Sequence, residues 1–505
     1  MRPVRLAQMV AALLLLAAAA LLLHRAALPL RVENFRSDGC HLSVNTFSPN
    51  QQPARGSVLL LHGLAGNADV MDYYTRGFLA LGLRVIVPDL PGHGRSPGPF
   101  TPARAESCSE ALLTELLRRG EIAPARTILA GHSLGGAIAL RLASRTPVAG
   151  VLALSPAPML PVPGISPEML LYTPPAKLPP NSLLVSGALE PASLLRATDQ
   201  LLAQIPGPGS ERRLVPLASH ASLLLDSRAL RLSLDWTARL LALPAAPALP
   251  TRSLFLAFLL GLSGLVFLSG PFLRATLSSL PRSAYPAAAT ASSPAHSLLA
   301  MAAASLCAIG LLTFGVPLGF LRLYNGGYLA SFLFLVGVVL LLARAPQLPS
   351  FLRLPPQLAA RAAALGLALS LLFFAWFHVT LTTAWLDPAR LWRWPLLVLA
   401  LFPFCATEEL LLGPPVPVNR AGSRRRLLLA LAARLVTWLA LVAALFILHN
   451  GQVLLVLMAP YFAAFSLLHR CGVDLFRVET RSPAGAALFG AILGAAFCLL
   501  LFPLT

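Results

Sequence analysis

Hydrophobic positions follow two different patterns along this chain of 505 residues. Between about residues 31 and 243, short apolar runs alternate with stretches in which apolar residues recur at helical spacing. Beyond about residue 254, most apolar runs are long enough to cross a bilayer as helices. The first pattern predicts an α/β domain with a mostly parallel sheet and helices on both faces, and the second predicts an all-α transmembrane helix bundle.

Four segments follow from these patterns. Residues 1–25 are an N-terminal membrane anchor or a signal peptide, because Arg2 and Arg5 precede an apolar run in which only Gln8 is polar. Residues 31–243 form the α/β domain, 244–253 a Pro/Ala linker, and 254–505 a transmembrane domain of about eight helices. Those helices are expected near 254–273, 297–321, 328–343, 362–386, 395–413, 427–448, 453–469 and 484–503.

Composition and charge support this division. The chain is 56% hydrophobic and 12% charged, whereas soluble domains average about 25% charged residues. Residues 31–250 carry 19 basic and 15 acidic side chains, but the remainder carries 20 basic against 5 acidic. The basic excess therefore belongs to the membrane part, where it reports topology. We expect no nucleic-acid partner, since no basic, aromatic-bearing soluble surface is visible.

Loop charges predict how the chain is oriented. If the N-terminus is cytoplasmic and the chain crosses the membrane nine times, 14 arginines lie in cytoplasmic segments and only 3 lie in the short loops on the other side. The positive-inside rule then places the α/β domain on the extracytoplasmic side of a multi-pass protein, which we expect in a bacterial cell membrane. Cys40 and Cys108 are the cysteines of that domain. They would form a disulfide there or remain unpaired, which is the commoner state of buried cysteines.

One pentapeptide carries the clearest chemical signal. Gly131–Gly135, with the sequence GHSLG, lies between a predicted strand from Thr127 and a predicted helix from Gly136. Strand, G-x-S-x-G and helix together are typical of a nucleophile elbow, a sharp turn that holds the serine hydroxyl clear of the sheet. The alternative is a Gly-rich turn without chemistry.

Partners for Ser133 follow in the order that acyl transfer requires. Glu190 follows a predicted strand and would orient the base, and His220 follows the last predicted strand and would take the proton. Asp199 is the alternative acid. The amides of Leu64 and Leu134 would form the oxyanion hole.

We assign no proton transfer to the other histidines near these motifs. We expect His62 to shape the oxyanion loop and His93 to pack beneath the elbow. His132 belongs to the elbow itself.

With these residues in view, the chain from about Arg55 to Leu240 resembles the α/β-hydrolase family, within it the monoacylglycerol lipase, lysophospholipase and esterase group. The resemblance rests on the segments 59–67 (LLLHGLAGN), 87–96 (VPDLPGHGRS), 131–136 (GHSLGG), 186–191 (SGALEP) and 216–226 (PLASHASLLLD). It implies a serine hydrolase that needs no cofactor, and we expect no metal. Because the linker tethers this domain to the predicted membrane helices, the expected substrate is a lipid or other acyl ester near the outer membrane surface.

The family usually carries a cap that shapes the acyl pocket. Here Pro156–Asn181 is short and rich in proline, which predicts a short cap with little helix. Met159, Leu160, Met169 and Leu170 would line an acyl site or simply pack over the sheet.

Ionisable residues also occur within the predicted membrane helices. Glu408 and Glu409 share one apolar helix and Arg434 lies in the next, so a structural ion pair is expected. The Glu-Glu pair and the segment Phe465–His469 are faintly similar to motifs of the CAAX-type intramembrane proteases, although Gly413 stands where their arginine would be. A transporter or lipid-handling protein with an accessory hydrolase-like domain is the alternative function.

Overall fold

The computed structural model describes residues 3–37, 39–49, 53–162, 174–204, 207–245, 248–278, 293–381, 387–411, 420–448 and 452–505. They divide into two compact units. The helical unit comprises Met1–Leu21, Phe258–Phe377 and Trp385–Phe502. The sheet unit comprises Leu22–Ala257, His378–Ala384 and Pro503–Thr505.

An eight-stranded sheet forms the centre of the sheet unit, with the order β1-β2-β4-β3-β5-β6-β7-β8. The strands β3 to β8 are parallel, while β1 and β2 form an antiparallel hairpin that joins the edge through β4. Their bounds are β1 Leu30–Ser37, β2 Cys40–Phe47, β3 Ser57–Leu61, β4 Arg84–Pro88, β5 Thr127–His132, β6 Gly150–Leu154, β7 Ser182–Gly187 and β8 Glu211–Val215.

Helices connect the parallel strands and cover both faces of the sheet, as the sequence pattern predicts. The helices of the sheet unit are α2 Asp72–Ala80, α3 Pro102–Arg118, α4 Leu134–Arg145, α5 Ala192–Gln204 and α6 Ser227–Leu240. The helix α1 Pro3–Ala26 precedes the sheet in sequence, and its residues up to Leu21 belong to the helical unit. One face of the strands packs against α2 and α6, where Tyr74 and Phe78 are fully buried. These strands read as continuous apolar runs because both of their faces are buried.

The hairpin β1–β2 is not evident from the sequence, because most positions of β1 remain exposed or half-buried and it lacks an apolar alternation. A disulfide joins Cys40 at the start of β2 to Cys108 in α3. The bonded state is therefore the correct one of the two alternatives. It closes a long loop, since 68 residues separate the two cysteines in sequence.

The remaining helices belong mainly to the helical unit. They are α7 Ser253–Leu277, α8 Pro294–Leu312, α9 Gly326–Ala343, α10 Leu348–Phe351, α11 Pro356–Leu381, α12 Pro388–Leu391, α13 Arg393–Leu411, α14 Arg420–Ile447, α15 Val453–Leu457, α16 Ala459–Thr480 and α17 Pro483–Leu501. Within the described residues, eight helical segments are long and apolar enough to cross a membrane, including Leu6–Ala26 near the N-terminus.

One predicted span is not among them. The segment 453–469 was expected to cross the membrane, but the chain there forms the short α15 followed by α16, which continues to Thr480. The added residues include Arg470, Asp474 and Arg477, whose charges lower the hydropathy of α16. Among the described residues, eight of the nine predicted spans are thus long and apolar enough to cross a membrane, and the number of spans and the orientation of the chain stay predictions.

We expect the disulfide to contribute about 2–4 kcal/mol to the free energy of unfolding, because it restricts the unfolded chain. The double variant Cys40→Ser and Cys108→Ser should therefore unfold at a clearly lower temperature in detergent solution. Cys307 and Cys471 are free and exposed. Their double serine variant is the matched control and should unfold like the unsubstituted protein; equal unfolding temperatures for both double variants would contradict the prediction.

Candidate active site

The turn between β5 and α4 holds Ser133 in a conformation that few side chains adopt. Its φ of 53° lies in the left-handed region, where a non-glycine residue is strained. The Ser133 amide donates to the Leu154 carbonyl of the neighbouring β6 at 2.9 Å, which anchors the turn to the sheet. Ser133 as a whole is 9% exposed.

Two glycines allow this turn because the backbone segments around it are packed too closely for a side chain. A Cβ on Gly131 would collide with the backbone of Gly135, and one on Gly135 with the carbonyls of Leu61 and His62. The helix α4 therefore begins directly above the sheet. This is the close packing that a nucleophile elbow requires.

Glu190 and His220 come together at the carboxyl ends of β7 and β8. Oε2 of Glu190 lies 3.4 Å from Nδ1 of His220, so Nδ1 carries a proton towards the carboxylate and Nε2 is left as the acceptor. Burial alone would raise the pKa of Glu190, but its hydrogen bonds from His220, Ser155 and the Gly187 amide outweigh burial and lower that pKa. The acid is therefore ionised at neutral pH.

The alternative acid lies elsewhere. Asp199 sits on α5 and forms an ion pair with Arg212, and its side chain is 59% exposed. The arrangement of Glu190 against His220 thus favours Glu190 as the residue that orients the base.

Leu64 and Leu134 flank the same turn. Leu134 is the first residue of α4, so its amide has no acceptor within the helix. Leu64 lies in a tight turn closed by the bond from the Gly66 amide to the Gly63 carbonyl, 3.0 Å. Gly63 approaches the elbow so closely that a Cβ there would lie 3.0 Å from that of Ser133.

Three buried side chains hold the loop around Leu64. His62 accepts from the Leu90 amide at 2.9 Å, and burial lowers its pKa to about 4. His93 accepts from the Ala65 amide at 3.0 Å. Asp89 accepts from the Ala68 amide at 2.7 Å, and burial raises its pKa to about 6. His62 and His93 therefore both hold the loop around Leu64. That this loop forms an oxyanion hole, and that His93 packs beneath the elbow, remain predictions.

His132 links the turn at Ser133 to the loop of His220. Its Nε2 donates to the backbone carbonyl of His220 at 2.9 Å, and burial lowers its pKa to about 3. A permanently neutral His132 can hold the His220 loop but has no use as a general base at neutral pH. The contact joins residues 88 positions apart, and no sequence signal indicates it.

The cap is only partly described. Pro156–Val162 and the stretch from 174 to Pro180 contain no helix or strand, and the rest of the predicted cap lies outside the described residues. Met159 is buried and Leu160 is half-buried, which fits packing over the sheet. Met169 and Leu170 lie outside the described residues.

A second cluster of ionisable residues lies in the helical unit. Glu408 accepts two hydrogen bonds from Arg434, at 2.6 and 2.7 Å, so the expected ion pair is confirmed. Glu409 pairs with Arg470 at 2.6 Å and with Arg477 at 2.5 Å. These side chains come from α13, α14 and α16. The arginines of α16 were missed because the predicted helix ended before them.

His469 completes this cluster as a neutral residue. Its Nδ1 accepts from Arg434 at 3.0 Å, and its Nε2 donates to the Gly490 carbonyl at 2.8 Å. Both ring nitrogens are thus engaged by the protein. Among the described residues, no three of the histidine, cysteine and acidic side chains are grouped to hold a metal ion. The cluster is a buried ionic network that joins α13, α14 and α16 and, through Gly490, α17.

We expect Glu409→Gln to destabilise the folded protein by about 3–5 kcal/mol, because it leaves Arg470 and Arg477 buried without their shared carboxylate. The matched control is Glu115→Gln on α3, which removes an exposed ion pair with Arg118 and should leave the unfolding temperature unchanged. Thermal unfolding in detergent tests both, and a control-like result for Glu409→Gln would contradict the role of the network.

Known proteins resemble the part of the chain that forms most of the sheet unit. Residues 58–261 match the profile described as the Alpha/beta hydrolase family. The magnesium-chelatase 30 kDa subunit of Rhodobacter capsulatus is 42% identical over 106 residues, covering 21% of this chain and 36% of that protein. The pimeloyl-[acyl-carrier protein] methyl ester esterase of Aromatoleum aromaticum is 42% identical over 95 residues, covering 18% and 33%.

The chain thus spans about a third of the length of these curated relatives. Among solved structures, the monoacylglycerol lipase of Paleococcus ferrophilus aligns with a TM-score of 0.34 and 19% identity, over 39% of this chain and 99% of that one. The family match together with the eight-stranded, mostly parallel sheet shows that the chain contains a domain of the alpha/beta hydrolase family, in the α/β-hydrolase fold.

Proposed function

We propose that this protein is a membrane-bound serine hydrolase that cleaves carboxylic esters through Ser133, His220 and Glu190. The observation that carries the proposal is the contact of Glu190 with His220 at the strand ends beside the strained turn at Ser133. A histidine oriented by a buried carboxylate is the base that an unactivated serine hydroxyl needs. An esterase among the relatives supports the same reaction class.

The proposed reaction has two halves. In the first, the Ser133 oxygen attacks the ester carbonyl, its proton passes to Nε2 of His220, and the amides of Leu64 and Leu134 stabilise the oxyanion. The C–O bond of the ester then breaks, and the alcohol leaves with the proton from His220. In the second, water attacks the acyl-Ser133 ester and His220 again transfers the proton, which releases a carboxylic acid and restores Ser133.

Apolar surface beside the triad favours an acyl lipid as the substrate. Leu189, next to the acid, is 62% exposed, and Leu217, three residues before the base, is 78% exposed. The two lie on adjoining loops, since the Leu189 amide donates to the Ala218 carbonyl at 2.9 Å. An acyl chain laid across these leucines would remove apolar surface from water.

We further propose that the sheet unit lies on the extracytoplasmic side of a cell membrane. The distribution of loop arginines supports this side, and whether the segment 453–469 spans the membrane changes only the predicted orientation of the chain beyond α14. The disulfide between Cys40 and Cys108 supports the same location, because disulfides persist in oxidising compartments.

The proposal is tested by ester hydrolysis with the purified full chain in detergent. p-Nitrophenyl esters of short and long fatty acids should be hydrolysed, the long ones preferentially. Ser133→Ala should abolish turnover, and Glu190→Gln should lower kcat by about 100-fold or more, because the base loses its orienting charge. Asp199→Asn, which alters the exposed acid on α5, is the control and should retain full activity.

Full hydrolysis by a folded Ser133→Ala variant would overturn the proposed function. In that case the helical unit becomes the functional part, and transport assays on reconstituted vesicles follow.

A further inference from the structure

The geometry points to Ser155 as a positioning residue that fixes the catalytic carboxylate, an inference that rests on the proposed function. Ser155 follows β6 and is 1% exposed. Its hydroxyl donates a hydrogen bond to Oε1 of Glu190 at 2.5 Å. The two residues lie 35 positions apart, and neither their motifs nor their spacing indicates this contact.

Ser155 occupies a fixed place in the order of the strands. The neighbouring strands β5, β6, β7 and β8 are followed by Ser133, Ser155, Glu190 and His220 respectively. Parallel strands end at one edge of the sheet, so all four side chains belong to that edge. The hydroxyl of Ser155 thus lies on the opposite side of the carboxylate from the base.

The contact matters because the acid is a glutamate. Glutamate has one more rotatable bond than aspartate, so holding its carboxylate in one orientation costs more conformational entropy. Oε1 receives both the Ser155 hydroxyl and the Gly187 amide, the latter at 2.7 Å. With Oε1 held by two donors, Oε2 remains directed at His220.

The backbone conformation at Ser155 allows the effect of its hydroxyl on the position of Glu190 to be separated from any effect on folding. Ser155 has a φ of 40°, a conformation that glycine adopts without strain and serine does not. The Ser155 amide is already bonded to the Val185 carbonyl at 2.7 Å and does not need the side chain. Compared with glycine, serine at position 155 therefore supplies a hydroxyl group, and its backbone is strained there.

Ser155→Gly is the informative substitution, because it removes the hydroxyl and relieves the backbone. We expect kcat for ester hydrolysis to fall by at least about tenfold, the scale of one hydrogen bond to a charged group, while KM is unchanged. The unfolding temperature should be equal to or above that of the unsubstituted protein. Ser182→Ala is the matched control, since the hydroxyl of this buried serine at the start of β7 donates to the Pro179 carbonyl, at 2.8 Å, and its loss should leave kcat unchanged.

A double-variant comparison distinguishes positioning from a general disturbance of the site. If Ser155 acts through the carboxylate, Ser155→Gly added to Glu190→Gln should lower kcat by much less than it does alone. An undiminished loss in the Glu190→Gln background, or a Ser155→Gly variant with full kcat, overturns the inference. If Ser133→Ala abolishes turnover while Ser155→Gly retains it, the inference about Ser155 fails and the proposed function stands. If Ser133→Ala retains turnover, both the inference and the proposed function fail.

Discussion

The close approach of α4 to the sheet at Gly131 and Gly135 is the constraint on which the site depends. It forces the chain to reverse within one residue, and that residue, Ser133, takes the strain of a left-handed backbone. The surrounding sheet sustains this strain, because the Ser133 amide is bonded to β6 and its carbonyl to α4. The hydroxyl is thereby presented at the edge where the neighbouring strands end.

Electrostatics at this edge separate one histidine from the others. Burial holds His62 and His132 neutral, with pKa values lowered to about 4 and about 3, and their ring nitrogens bond backbone groups. Among the histidines that the structure describes, His220 is the one that contacts the carboxylate of Glu190. The buried neutral rings thus support the loops that carry Leu64 and His220, which is consistent with the proposal that His220 alone transfers protons. In the helical unit, by contrast, the buried carboxylates of Glu408 and Glu409 form ion pairs with arginines.

The central sheet and the approximate places of Ser133, Glu190 and His220 could be predicted from the sequence. Buried parallel strands are short apolar runs, and each of these three residues follows the end of one of them within a few positions. The hairpin β1–β2 could not be predicted, since its outer strand is largely exposed. Nor could α16, whose buried arginines depend on acids from another helix, or Ser155, whose role depends on a tertiary contact. Pairings between distant residues leave no periodic signal in a single sequence.

Covalent labelling tests the central claim most directly. The purified protein would be treated with a fluorophosphonate, digested and mapped by mass spectrometry to find the modified residue. We expect one adduct, on Ser133, formed much more slowly in Glu190→Gln, because only a serine activated by an oriented histidine attacks the phosphorus readily. An adduct on a different residue, or none in a protein shown to be folded, would contradict the assignment of Ser133 as the nucleophile.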